Sequence, residues 1–443
     1  MTFEVYIHVP FCLRRCGYCD FNTYTAVDLG GGASRGNYAR MAIAEMRLAR
    51  RWQLDQGIVE PAASTVFFGG GTPTVLPARD LVAMLDAVRD IWGIEDGAEI
   101  TTEANPDTVD EASIRELADG GFTRISFGMQ SAVPSVLRVL DRTHTPANVE
   151  AGVHAADACG LRSSVDLIYG APGESMEDWR TSVRAALDLG VSHVSAYALT
   201  VEPTTTMGRR IAAGRLASPD DDDEAAKYEA VDDMLSAAGL HWYEISNWAR
   251  PGYESRHNLG YWRNADWAGI GPGAHSHYGR PGDGLRAWDI AHPRQWGLSV
   301  SAGRIPWNGS ERLGASEILE ETVMLGIRLS EGLGLARVAA LAGHGVPSMT
   351  LSRLADEGLA QVLGDRLIPT RRGRLLNDAI AQEILDALDS GTATAGTTEN
   401  TVTAPVPAGQ KDPAADPEEA ITSQPRWRRT ATTASGDPRR NAV

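Results

Sequence analysis

The chain has 443 residues, 43% hydrophobic and 22% charged, which suits a globular protein with a substantial core. Its 41 Lys and Arg stand against 58 Asp and Glu, a formal net charge of -17. That excess repels nucleic-acid phosphates, and the globular part carries no basic patch to overcome it. No uncharged apolar run approaches the ~18–20 residues that span a bilayer, and the first residues lack a signal peptide's basic and apolar regions. A cytoplasmic location with reduced thiols is therefore expected.

The first two hundred residues alternate β-rich runs with stretches of helical period. Strands are expected over Phe3–Val9, Ser64–Phe68, Glu99–Glu103, Arg124–Gly128, Ser164–Tyr169 and His193–Leu199. Helices are expected between them, as at Ala78–Trp92, Glu111–Asp119 and Met176–Leu189. Six β-then-α units imply an α/β fold with a parallel sheet and right-handed crossovers. A partial (β/α)6 barrel is favoured over a dinucleotide-binding fold, because the unusual residues directly follow strands. These are Pro10-Phe11-Cys12, Gly69-Gly70-Gly71-Thr72-Pro73, Glu103-Ala104-Asn105-Pro106, Gly128-Met129-Gln130 and Asp166-Leu167-Ile168-Tyr169-Gly170. Loops at the C-terminal ends of barrel strands converge on one site, so these distant segments should share a pocket.

Residues 200–300 read as less regular and tryptophan-rich, with the acidic run Asp220–Asp223 starting a helix over Ala225–Ala238. Residues 311–388 read as a smaller C-terminal α+β domain of winged-helix type. Its helices include Ser316–Leu329 and Thr350–Glu357, and Arg366–Pro369 is its wing strand. From Asp389 onward Thr, Ala and Pro dominate, and the segment lacks the apolar content to offset ordering entropy, so a disordered tail is expected. The expected segments are thus a barrel at 1–210, a connecting region at 211–310, the C-terminal domain at 311–388 and the tail at 389–443.

Three of the four cysteines, Cys12, Cys16 and Cys19, fall within eight residues in C-x3-C-x2-C spacing directly after the first strand. Cys159 stands apart in an expected helix as a small core residue. Clustered thiolates favour zinc, copper(I) or an iron–sulfur cluster. Structural zinc usually takes four ligands, commonly in two separated pairs, and no second pair follows; His8 is a fourth donor only if its strand turns it that way. Three thiolates hold three irons of a [4Fe–4S] cluster and leave the fourth iron open to an exogenous chelator.

Tyr6-Ile7-His8-Val9-Pro10-Phe11-Cys12, the cysteine loop, Gly69–Pro73, Glu103–Pro106, Gly128–Gln130 and Asp166–Gly173 together make the chain similar to the HemN/HemW branch of the radical S-adenosylmethionine (SAM) superfamily. The resemblance runs from Phe3 to about residue 380. It implies a [4Fe–4S] cluster on Cys12, Cys16 and Cys19, with SAM bound at the open iron. By the same resemblance Tyr6, Tyr18, Gly70, Gly71, Thr72, Glu103, Gln130, Arg142, Asp166 and Ala198 line the SAM site. The residue types agree: glycine lets backbone approach a ligand closely, carboxylates accept from amine or ribose, and arginine offers a fork to a carboxylate.

Within that branch two functions compete. One is oxygen-independent coproporphyrinogen dehydrogenase, which decarboxylates propionates oxidatively; the other is a haem chaperone that hands haem to acceptor proteins. The dehydrogenase pattern has a further cysteine two residues after the third, where this chain has Phe21, and a longer segment ahead of the cluster. His257-Asn258-Leu259-Gly260-Tyr261-Trp262 matches the HNxxYW motif of the chaperones. Imidazole is a usual axial ligand of haem iron and aromatic rings cover a macrocycle well, so His257 is the expected haem ligand. Trp242, Tyr243, Trp248, Trp267, His275 and His277 lie nearby in sequence. The chaperone reading implies haem and an acceptor protein as partners, a membrane-bound respiratory enzyme being one candidate, and leaves a homodimer open. A third reading keeps the cluster only for stability or sensing.

Overall fold

Strand β1 (Phe3–Val9) sets the pattern that the rest of the chain follows. Phe3, Val5, Ile7 and Val9 are fully buried on one side, while Glu4, Tyr6 and His8 alternate onto the other. The computed structural model describes residues 2–279 and 284–395. In it β1 is followed by β2 (Ala63–Gly70), β3 (Ile94–Ala104), β4 (Arg124–Gln130), β5 (Arg162–Tyr169) and β6 (His193–Ala198), all parallel and in chain order. The six expected strands are present, with ends shifted by a few residues. Helices such as Tyr38–Asp55, Ala78–Ile91 and Met176–Asp188 cover the outer, apolar side. Some start on reciprocal caps: Ser175 and Asp178 exchange hydrogen bonds, as do Thr145 and Asn148.

The stretch at 200–300, expected to be less regular, holds the expected helix as Asp221–Ala237 and also strands that extend the sheet. A hairpin of β7 (His241–Glu244) and β8 (Asn247–Ala249) pairs antiparallel with β6. The chain then crosses to the opposite edge, where β9 (Asp266–Ile270) runs parallel to β1. β10 (His275–Tyr278), β11 (Gly284–Asp289) and β12 (Trp307–Leu313) continue outward as antiparallel strands. The result is one twelve-stranded sheet in the order β12-β11-β10-β9-β1-β2-β3-β4-β5-β6-β8-β7. These flanking strands are three to seven residues long, too short for alternation to show among so many tryptophans and glycines.

The C-terminal part has its own core around Val323, Ile327, Leu354, Leu367, Ile380 and Ile384. Its small sheet joins β13 (Leu333–Gly334), β14 (Ala360–Leu363) and β15 (Arg366–Pro369) in the order β13-β15-β14, so the expected wing strand is a strand. The last helix, Asn377–Ala395, runs beyond the expected start of the tail at Asp389; residues 396–443 lie outside the described residues. Among the described residues no helix is long and apolar enough to cross a membrane.

Candidate cluster and cofactor site

The cysteine loop leaves the C-terminal end of β1 and is closed on itself. Cys12 N–H donates to Tyr24 O at 2.9 Å and Tyr24 N–H to Pro10 O at 2.7 Å. Arg35, which the sequence reading missed, clamps the loop by donating to Cys12 O (2.8 Å) and Thr25 O (3.0 Å). A Cβ on Gly17 would sit 2.5 Å from an Asp141 carboxylate oxygen and would displace that side chain. All four cysteines are free thiols.

Each loop thiol has its own donor from a different place. Thr72 Oγ1 lies 3.6 Å from Cys12 Sγ, Arg142 Nη1 donates to Cys16 Sγ at 3.6 Å, and Thr23 Oγ1 lies 3.9 Å from Cys19 Sγ. Burial pushes the Cys12 thiol up, and repulsion from Cys19 and Cys16 adds to it against the Thr72 hydrogen bond. Burial likewise raises Cys19. Bound iron would reverse this, because its charge favours thiolates. Among the described residues no three His, Cys, Asp or Glu side chains close on the position of one metal ion. The donor set, three thiolates with sulfur-directed hydrogen bonds, fits a [4Fe–4S] cluster. Cys159 is elsewhere, half-buried as the C-cap of Pro146–Ala158 on the outer helical layer.

The expected SAM residues gather around this loop at the C-terminal ends of β1 to β6. Gly70 N–H donates to Glu103 Oε2 at 3.2 Å. Both Asp166 oxygens accept from Ser126 Oγ at 3.1 Å. Burial holds the Glu103 carboxyl up at about 8, with the neighbouring Asp166 charge adding to it; burial also raises Asp166. Arg124 and Arg142 offset part of this at Asp166, and an amine ligand's charge would relieve both carboxyls further.

The glycines answer first to the chain itself. A Cβ on Gly71 would meet Phe11 O at 2.6 Å and Val9 O at 2.8 Å, and one on Gly70 (φ +104°) would meet the His8 ring at 2.5 Å. Tyr6 OH donates to His8 Nδ1 (3.0 Å), because His8 Nε2 must give its proton to the Asn22 carbonyl (3.0 Å). Both ring nitrogens are therefore used, and His8 is no cluster donor.

Gln130 follows an irregularity in the β4–β5 pairing and adopts φ +61°, which re-aims its side chain. Arg142 is turned on the protein rather than held open: besides Cys16 it donates to Gly128 O (2.6 Å) and His144 Nδ1 (3.3 Å). Burial would lower its pKa, but Tyr18 and Cys16 more than offset this. Tyr18 packs against Leu140, Ile168 and Leu199, and Ala198 lies exposed at the end of β6 opposite Tyr169.

His257 lies beneath them, its ring stacked on that of Tyr6 at 6.4 Å. The short helix Arg256–Trp262 carries the chain from one edge of the barrel to the other and plugs its floor. The ring is 1% exposed. Nδ1 lies 2.6 Å from Thr65 Oγ1 and 3.3 Å from Glu4 Oε2, Nε2 lies 3.1 Å from Tyr261 OH, and Phe67 stacks on the ring at 4.9 Å. Asn258 and Trp262 both hydrogen-bond Glu244, and Gly260 leaves room for the Glu4 carboxyl. Thr65 and Gly70 are five residues apart, about 16 Å along the strand, so floor and cluster mouth are separate places. An iron ligand needs a free ring lone pair and open space beside it. Here both His257 ring nitrogens contact protein groups and the ring is enclosed.

The pattern described as the Radical SAM superfamily matches residues 6–186, and that of the HemN C-terminal domain matches residues 313–376. "Heme chaperone HemW" of Mycobacterium tuberculosis is 47% identical over 384 residues, 86% of this chain and 95% of the relative. The chain belongs to the HemW family of radical SAM proteins. "Heme chaperone HemW" of Bacillus subtilis is 32% identical over 87% of this chain and the whole of the relative. Among solved structures, coproporphyrinogen III oxidase (HemN) from Escherichia coli aligns with a TM-score of 0.72 at 21% identity, over 88% of this chain and 90% of that one. That likeness carries the fold, a radical SAM barrel with a HemN-like C-terminal domain. The family implies a [4Fe–4S] cluster and SAM. The supporting residues Arg35, Thr23, Asn22 and His144 lie within the matched range, but their own sequence signal is only that they flank the motifs.

Proposed function

We propose that this chain is a haem chaperone, which binds haem, carries a SAM-liganded [4Fe–4S] cluster and delivers haem to an acceptor protein. The observation that carries the reading is near-full-length identity to relatives named heme chaperones. Phe21 supports it, as the position of the dehydrogenase's further cysteine holds an aromatic ring, 61% exposed, with no thiol to offer.

Cys12, Cys16 and Cys19 would hold three irons, and the buried carboxyls of Glu103 and Asp166 would receive the SAM amine. Tyr6, Tyr18, Gly70, Gly71, Thr72, Gln130 and Ala198 would shape the surrounding pocket. Bound there, a reduced cluster with SAM supplies one-electron chemistry at the sulfonium. The protein's part is to keep the thiols free, donate to their sulfurs and exclude water with the closed loop. Free thiols suit a cytoplasmic setting. The test is anaerobic reconstitution with iron and sulfide, followed by haem titration beside a coproporphyrinogen turnover assay. Haem binding without turnover supports the proposal; SAM-dependent protoporphyrinogen formation overturns it in favour of the dehydrogenase.

A further inference from the structure

With His257 in the barrel floor, the haem iron needs another ligand. The inner face of the barrel continues past β1 onto β9, β10 and β11, and there one imidazole is open. His275, the first residue of β10, is exposed, whereas His277, two residues on, is buried with Nδ1 3.2 Å from Ala265 O. The His275 ring stacks on Trp288 of β11 at 6.2 Å and 28°. A second indole is fixed alongside, since Trp267 Nε1 donates to His275 O at 2.8 Å. On β9 Gly269 lets the His275 backbone pack close, since a Cβ there would collide with His275 O. β10 pairs with β9, and β9 pairs with β1, the strand that leads to the cysteine loop.

The other histidines do not combine these features. His8, His144, His193 and His277 are buried, each with at least one ring nitrogen bonded to a protein group. His154 is exposed on the outer helix Pro146–Ala158, His241 opens the edge strand β7, exposed His292 meets a single ring, Tyr24, and His344 lies in the C-terminal part with Nδ1 3.3 Å from Gly345 O.

We propose that His275 is the axial ligand of the haem iron, with the indole of Trp288 beside the macrocycle. The inference rests on the haem-chaperone reading and assigns that reading its site. Packing and then Arg286 hold the His275 imidazole below its usual pKa, so at neutral pH the ring keeps the lone pair that ligation requires. The bond formed is from a ring nitrogen to ferric haem iron, with water leaving the iron and no change of oxidation state. Exposure lets the macrocycle reach the imidazole without opening the core, as a carrier that must release its cargo needs.

The experiment titrates full-length, cluster-reconstituted protein with ferric haem and follows the Soret band. Wild type should show an imidazole-ligated spectrum. His275→Ala should lose that spectrum and bind at least tenfold more weakly, with added imidazole restoring the band. His275→Gln, which keeps side-chain bulk, should behave as Ala does. His292→Ala should match wild type. Cluster absorbance should survive in all three. Wild-type binding with unchanged spectrum and affinity in both His275 variants overturns the ligand assignment and leaves the chaperone reading standing. Failure of the wild type to bind haem overturns that reading and the assignment with it.

Discussion

Replacing His257 by alanine separates a structural histidine from a haem ligand. In the barrel floor the change leaves Thr65 Oγ1 and Tyr261 OH without the ring they now contact. Each unsatisfied buried hydroxyl costs about 1–3 kcal/mol. The ring also stacks on Phe67 at 4.9 Å and meets Tyr261 edge-on at 4.8 Å, and such pairs contribute about 0.5–1.5 kcal/mol each. Some relaxation will recover part of this, so the expected loss is about 4 kcal/mol, in the range of a core truncation. Guanidinium unfolding of wild type and variant should show a lower midpoint with an unchanged slope. Haem titration of the folded variant should give the wild-type Soret position. Burial holds His257 down at about 3, so its folded-state stability is full above pH 6.5 and falls as pH drops toward 3. The variant should lose that part of the acid dependence. Wild-type stability together with a lost or shifted Soret band would refute the argument and return His257 to the haem.

Four other outcomes are expected. Cys12→Ala, Cys16→Ala and Cys19→Ala should each abolish reconstituted cluster absorbance, whereas Cys159→Ala on the outer layer should keep it. Arg142→Gln removes the donor to Cys16 Sγ; the cluster midpoint in an EPR-monitored titration should fall by at least about 59 mV, a tenfold change for one electron, and an unchanged midpoint would dismiss that contact. Burial first, then Glu99, raise Glu4 to about 9 from 4.5, so its contribution is full below pH 4.5 and fades as pH rises toward 9, by about 3 kcal/mol at pH 7; Glu4→Gln should flatten the stability profile across that window. Removing residues 396–443 should shift stability by less than about 0.5 kcal/mol, because the last core side chains are Ile384 and Leu388, and a larger loss in calorimetry would show that the tail packs.

The local signals in the sequence determined the barrel and its cluster loop. Strands with an apolar outer face and a polar inner one read as alternation, and Phe3–Val9, Arg124–Gln130 and Arg162–Tyr169 show it within a few residues of their ends. The cysteine spacing is equally local, because three ligands of one cluster sit on one loop. What local signals do not carry is the partner of each side chain. The HNLGYW segment has the composition of a haem contact, but only the chain's crossing from β8 to β9 places it under the barrel, with Thr65, Glu4 and Glu244 as its partners. Arg142 reads as a carboxylate fork until the fold puts Cys16 and Gly128 in its reach. His275 and His277 are two residues apart on one strand and share a face, yet one is open and the other committed. Burial and hydrogen-bond partners are set by strands distant in sequence, so tertiary structure alone decided which histidine is free.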